Sequence, residues 1–378
     1  MRQIITGAVC LAMSAAPVLQ AQEAAIFSGY DRVHPVYAEN GMVSAQEAVA
    51  AQIGLDILKA GGNAVDAGVA VAFALAVTLP RAGNIGGGGF MIIHDAETGE
   101  TKAIDYREMA PASAERDMYL DAEGNADSEL SRFTGLAVGV PGTVAGMQMA
   151  LENYGSMTLA EAIEDRLKKW PTSESIFYEE GGGFYEPGET LVQADLANTL
   201  QKIADEGTDG FYKGETATKI ADAVQAAGGR ITVEDMANYK PVLREPVRGT
   251  YRGYEIVSMP PPSSGGAHII QILNVLENYP ISFLGHNTAD TIHLMAEAMK
   301  RAYADRSEYL GDSDFVDVPL SEITSKAYAK DIRGEISLNA ATPSSSIRPG
   351  DLAPYESDQT THFSIVDKDG NAVSNTYT

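Results

Sequence analysis

Residues 64–79 constrain this chain more than any other stretch. The run is almost wholly apolar, carries Asp66 as its only charge, and stops at Pro80. Its length suits a helix, and a helix that is apolar all round must be buried on most sides. It is short for a membrane span, which needs about 20 apolar residues. Cover must therefore come from several directions, and 378 residues with 44% apolar content can supply it.

The surrounding pattern is mixed. Asn63 stands where a cap for that helix belongs, and Gly61-Gly62 end the helix before it. The earlier helix, amphipathic to about residue 60, is expected to open at Ser44-Ala45-Gln46-Glu47, which has the form of a capping box. Residues 88–105 alternate around Phe90-Met91-Ile92-Ile93-His94 and turn at Thr98-Gly99, the pattern of a β-hairpin. Another strand is expected over 251–259, stopped by Pro260-Pro261-Pro262. Residues 290–306 place Ile292, Met295, Met299, Ala302 and Tyr303 at helical spacing, read as core packing, with Glu297 and Arg301 as an i,i+4 pair. Strands and helices interleave without a βαβ period, so the expected class is layered α+β. Residues 339–357, rich in Ser, Pro, Ala and Gly, read as an exposed linker.

Residues 1–21 read as an export signal: Arg2, a mostly apolar 4–19, and a small-residue box at Leu19-Gln20-Ala21. Cys10 lies inside it, so the mature chain would hold no cysteine, which excludes disulfides, thiolate chemistry and cysteine metal sites. The periplasm, or secretion, suits such a chain. The formal charge of −25 becomes −26 when Arg2 leaves with the signal. So acidic a surface argues against nucleic acid and anionic membrane, and solubility explains most of these carboxylates.

Several chemistries fall away. Gly86-Gly87-Gly88-Gly89 has no Gly-Lys-Ser/Thr after it and leads into a strand, so it is no phosphate loop. Tight turns or close backbone packing explain it, or a pocket lined by N–H groups. Residues 260–266 (Pro-Pro-Pro-Ser-Ser-Gly-Gly) lack a Gly-x-Ser-x-Gly elbow and read as a rigid loop. The six histidines are scattered, so no metal site and no cofactor is expected.

Asp358-Gln359-Thr360-Thr361-His362-Phe363-Ser364 is different. It sets paired threonines at the head of an alternating run that turns at Lys368-Asp369-Gly370. A threonine hydroxyl needs a base, and cutting the chain before Thr360 would supply its own amine, with a pKa of about 7.7–8.0. If residues 368–370 form a hairpin loop with Gly370 left-handed, Asp367 pairs with Asn371 and Thr378 falls opposite Thr360 on one face. Residues alone leave open that these are ordinary strand threonines.

The chain resembles the gamma-glutamyltransferase family (glutathione hydrolase proenzymes), which are N-terminal-nucleophile hydrolases. The resemblance covers residues 41–378. It is carried by residues 54–58 and 61–67, Gly86-Gly87-Gly88-Gly89-Phe90-Met91, Asp105-Tyr106-Arg107-Glu108-Met109-Ala110-Pro111, residues 138–143, 259–266 and 301–306, and Gln359-Thr360-Thr361-His362. It implies a four-layer αββα fold and a precursor that cuts itself between Gln359 and Thr360. Residues 22–359 would be the large subunit and 360–378 the start of the small one, forming a heterodimer from one precursor. Thr360 would be the nucleophile, Thr378 its supporting threonine, and Arg107 the binder of the α-carboxylate of a γ-glutamyl group; considered alone, Arg107 reads as a surface ion-pair residue. Glutathione or another γ-glutamyl compound would be the donor, and water, an amino acid or a dipeptide the acceptor.

Two departures from the family pattern stand out. The small subunit stops at Thr378, without the remaining clamps or the oxyanion-hole glycines. One lost oxyanion donor costs about 10²–10³ in rate, so the polypeptide alone is expected to be an inactive, incomplete fold. A contraction of some tens of residues falls around 160–176. Competing readings are a related acylase, a poly-γ-glutamate depolymerase, and a non-catalytic periplasmic binding protein.

Overall fold

The computed structural model describes residues 37–159, 161–162, 193–348 and 361–377. The export signal, the 163–176 part of the contraction, Gln359, Thr360 and Thr378 lie outside them.

The apolar run forms helix α2 (Ala64–Thr78), buried at every position from Ala64 to Ala76. Asn63 caps it in a reciprocal box with Asp66, as its place in the sequence suggests. Asp66 is itself fully buried, and its carboxylate accepts from the Ser156 and Met157 backbone N–H groups and the Ser156 hydroxyl. Those bonds make a lone charge tolerable inside an apolar helix environment.

Helix α1 (Ala48–Lys59) precedes it, but its cap is Glu47, whose carboxylate accepts from Ala50 N. Ser44 instead closes strand β1 (Met42–Ser44). Strands β2 (Gly89–His94) and β3 (Thr101–Asp105) form the expected hairpin. Helices α3 (Thr143–Tyr154), α4 (Ala194–Glu206) and α5 (Gly214–Ala226) follow, then β4 (Val242–Arg244).

The strand expected over 251–259 is in fact the second half of a hairpin. Chain direction reverses at Arg252-Gly253, both at positive φ (51° and 88°), between β5 (Val247–Tyr251) and β6 (Tyr254–Ser258). Two left-handed residues in succession are what a tight two-residue hairpin turn requires. Helices α6 (Gly265–Leu276), α7 (Ala289–Tyr309) and α8 (Lys326–Glu335) follow, then β7 (Thr361–Val366) and β8 (Ala372–Tyr377).

The stripe on α7 is a correction. Ile292, Met295 and Met299 are 55%, 45% and 41% exposed, while Leu294, Glu297, Ala298, Arg301, Ala302 and Asp305 face inward. Burial of charge is possible there because Arg301 Nη1 and Lys300 Nζ meet the Glu297 carboxylate at 2.8 and 2.7 Å. That meeting also realises the expected i,i+4 pair.

Six strands make an antiparallel sheet in the order β1-β7-β8-β2-β3-β4. Helix α2 packs on β7 and β8, so closely that a Cβ on Gly68 would stand 3.3 Å from Val373 Cγ1 and 3.6 Å from Phe363 Cε2. The β5–β6 ribbon packs on α6, where Gly249 admits Ile270; α6, α7 and α8 enclose a second apolar core around Val275, Leu294 and Ile332. The result is α+β, with helices on a sheet in each half.

Candidate active site

The site is built outward from the β7–β8 turn. Asp367 is buried, and its carboxylate accepts from Asp369 N (2.9 Å), Asn371 N (3.0 Å), Asn371 Nδ2 (2.8 Å) and Ala64 N at the head of α2 (3.1 Å). The turn is thereby fastened to a helix N-terminus, where a carboxylate is favoured. Asp367 N bonds Asn371 O, and Gly370 has φ +90°, so the loop is Lys368-Asp369-Gly370 as anticipated. The ladder then runs from Val366↔Ala372 to Thr361↔Tyr377 without a slip.

Alternation divides this hairpin into two faces. Thr361, Phe363, Ile365, Val373, Asn375 and Tyr377 are buried toward α2. His362, Ser364, Ser374 and Thr376 lie on the other face and keep access to solvent. There the His362 ring bridges Thr376 Oγ1 (2.7 Å from Nδ1) and Ser364 Oγ (3.1 Å from Nε2). Partial desolvation of the ring against the sheet holds its pKa below the usual histidine value. The sequence marks His362 only by its spacing of two from Thr360, and the ladder sets it opposite Thr376.

The same open face continues across β2 and β3, where Phe90 pairs with Thr376 on one side and Asp105 on the other. Beyond Phe90, Gly89 and Tyr106 exchange backbone hydrogen bonds of 3.3 and 3.0 Å. A Cβ on Gly88 would stand 2.6 Å from Tyr106 O and 2.7 Å from Glu108 N, so only glycine allows this approach. Gly87 O accepts from Gly142 N (2.7 Å) and Thr143 N (3.0 Å), and Gly87 N donates to Asn84 Oδ1 (2.6 Å). The glycine run thus serves close backbone packing against the start of α3.

Arg107 stands on that edge with a fixed backbone and an uncommitted head. Its N–H donates to Asp105 Oδ1 (3.1 Å), and its carbonyl accepts from Tyr239 OH (2.8 Å). Burial raises the Tyr239 pKa, so that phenol stays a donor. The guanidinium lies over the Phe90 ring at 5.8 Å and makes no ion pair among the described residues. The ion-pair reading of Arg107 therefore finds no partner there.

Beneath the row, Tyr106 OH donates to Asn375 Oδ1 at 2.7 Å and Tyr377 OH to Ala72 O at 2.9 Å. Thr361 Oγ1 and Asn375 Nδ2 are buried with no hydrogen-bond partner among the described residues. No group of three or more described His, Cys, Asp or Glu side chains is arranged to hold a metal ion, and no described helix is long and apolar enough to cross a membrane.

An antiparallel sheet backed by a buried helix, with a polar open face, agrees with the α+β N-terminal-nucleophile hydrolase fold that the family resemblance implies. The Gamma-glutamyltranspeptidase family model matches residues 50–165 and 158–378, and the chain belongs to that family. It is 56% identical over 373 residues to the glutathione hydrolase proenzyme of Escherichia coli K12, covering 92% of this chain and 64% of that relative. The chain thus spans just under two thirds of the length of the curated relative it matches. Among solved structures it is similar to the gamma-glutamyltranspeptidase of Helicobacter pylori (45% identity, TM-score 0.78, 86% of this chain and 100% of that one). The cephalosporin acylase of Bacillus halodurans is similar too (30% identity, TM-score 0.77, 93% of this chain and 68% of that one).

Proposed function

We propose that this chain carries the nucleophile and the donor-binding arginine of a self-cleaving γ-glutamyl hydrolase and transferase. One observation carries the reading. His362, Thr376, Phe90 and Asp105 are paired in one transverse row on the open face, and the same registers carried two residues further along each strand would put positions 360, 378, 88 and 107 in the next row. Three inter-strand steps of about 4.8 Å would then separate the backbones at 360 and 107 by ~14 Å. An arginine side chain and a bound glutamyl chain fill that gap together, with Gly88 leaving the middle clear.

In the precursor, Thr360 Oγ attacks the Gln359 carbonyl carbon and the peptide C–N bond breaks, leaving an ester. Water then hydrolyses the ester to a Gln359 carboxylate and a free Thr360 amine. In the mature protein that amine takes the Oγ proton as Oγ attacks the γ-glutamyl carbonyl, and the leaving amine takes the proton away. Arg107 holds the α-carboxylate as a bidentate fork, and Thr378 supports the nucleophile by hydrogen bonding. Water resolves the γ-glutamyl ester to glutamate; an amino acid or dipeptide amine resolves it to a new γ-glutamyl product. Glutathione and related γ-glutamyl compounds are the donors this chemistry fits, and export to the periplasm fits the signal. The fold is shared with a cephalosporin acylase, so the choice of acyl group rests on Arg107.

After cleavage the β7–β8 hairpin would still be laddered to β1 on one side and β2 on the other, so the products would remain one heterodimer. Intact mass and N-terminal sequencing of the protein from its complete coding sequence test the reading. Two fragments, the smaller beginning at Thr360 and absent from Thr360→Ala, are expected. A single uncut, folded chain would favour a binding protein on this scaffold.

A further inference from the structure

Asp105 ends β3 and pairs with Phe90 across the ladder, and Arg107, two residues on, lays its guanidinium over the Phe90 ring. Asp105 is a buried carboxylate and Arg107 an exposed guanidinium, yet the two side chains do not pair. Arg244 holds that carboxylate instead. Its Nε donates to Asp105 Oδ2 at 2.7 Å, while Asp105 Oδ1 is occupied by the Arg107 backbone N–H at 3.1 Å. The remaining edge of Arg244 grips Asp314 with both nitrogens, Nη1 to Oδ1 at 2.9 Å and Nη2 to Oδ2 at 2.8 Å. Arg244 is 12% exposed and fixed from two sides, a geometry that a lysine, with one ammonium, cannot reproduce.

We propose that Arg244, fastened by Asp314, is a positioning residue for donor recognition: by occupying Asp105 it keeps the Arg107 guanidinium open to the substrate carboxylate. A buried carboxylate left without its cation recruits another, and Arg107 is the next guanidinium on that face of the strand. Captured by Asp105, Arg107 would have to be pulled away by each incoming donor, and binding would weaken. The inference rests on the reading of Arg107 as the carboxylate binder.

The experiment uses the protein from its complete coding sequence and γ-glutamyl-p-nitroanilide as donor. Arg244→Gln is expected to raise donor KM roughly tenfold or more while kcat changes less than about threefold. Asp105→Asn added to it should return KM most of the way, because an asparagine still accepts the Arg107 N–H but no longer attracts its guanidinium. A purely structural role predicts the opposite, with the double variant at least as impaired as the single one, and that result overturns the proposal. Should Arg244→Gln fail to fold, Asp314→Asn is expected to shift KM in the same direction by a smaller factor; an unchanged KM there overturns the proposal as well. Arg107→Gln separates the two layers. If it leaves donor KM unchanged, the carboxylate reading itself falls and this inference with it. If it raises KM while Arg244→Gln does not, only the positioning role of Arg244 is lost.

Discussion

The two faces of the β7–β8 hairpin are made by the same pair of six-residue strands, each roughly 20 Å long at about 3.3 Å per residue, and they differ in what they meet. Phe363, Ile365, Val373 and Tyr377 join the main apolar core on the α2 side, with the polar Thr361 and Asn375 buried among them. Those at 362, 364, 374 and 376 are small or polar and remain on an open surface. Strand alternation therefore lets one segment bury one side in the core and leave the other open with polar groups. Changes on the buried side should register as stability, and changes on the open side as activity or pH response.

The largest effect expected from that contrast is at Phe363, which is fully buried and sits edge-on to Tyr377 at 6.3 Å. Phe363→Ala should lower unfolding free energy by about 3–5 kcal/mol, while its open-face neighbour Ser364→Ala should change it by less than about 0.5 kcal/mol. Urea unfolding of both variants measures the difference. Similar losses for the two would mean that the open face is covered in the folded protein.

A middling effect is expected at Tyr106. Tyr106→Phe keeps the ring against Gly146 but leaves the fully buried Asn375 amide without its hydrogen bond. Stranding a buried polar group costs about 1–3 kcal/mol. A change below about 0.5 kcal/mol would show that Asn375 finds another partner, and calorimetry of the variant decides it.

The smallest effect concerns His362. Its folded pKa lies below the ordinary value near 6.5, so the unfolded chain binds the proton more readily. The neutral ring's contribution is present above the unfolded pKa and is lost as pH falls through the folded one. Stability of the native protein should therefore fall more steeply on acidification below about pH 6.5 than that of His362→Gln. Parallel curves for the two proteins would remove any special environment for this ring.

Much of this was legible in the sequence where the cause is local. The three-residue loop with Gly370 set the β7–β8 register, Asn63 announced the α2 cap, and the all-apolar run announced its burial. Misreadings arose where a distant group intervened. Ser44 looked like a cap until pairing with Ser364 drew it into β1. Arg252-Gly253 carried a turn signal that the strand reading passed over. The Ile292, Met295 and Met299 stripe looked like core, but the buried Arg301–Glu297 pair claimed the inner face of α7 instead.

The sequence by itself determined the elements whose cause lies within a few residues: caps, hairpin loops, alternation and the buried helix. Its hairpin arithmetic also predicts Thr360 opposite Thr378, one step beyond the described ladder. Only the tertiary structure decided that β2 and β3 extend the β7–β8 ladder, so that Phe90 and Asp105, more than two hundred and fifty residues upstream, share a row with His362 and Thr376. It alone decided that Arg244 would claim Asp105 and leave Arg107 unpaired. Local backbone preferences act over a few bonds, whereas strand order and charge partnership are settled by which distant surfaces can be buried together.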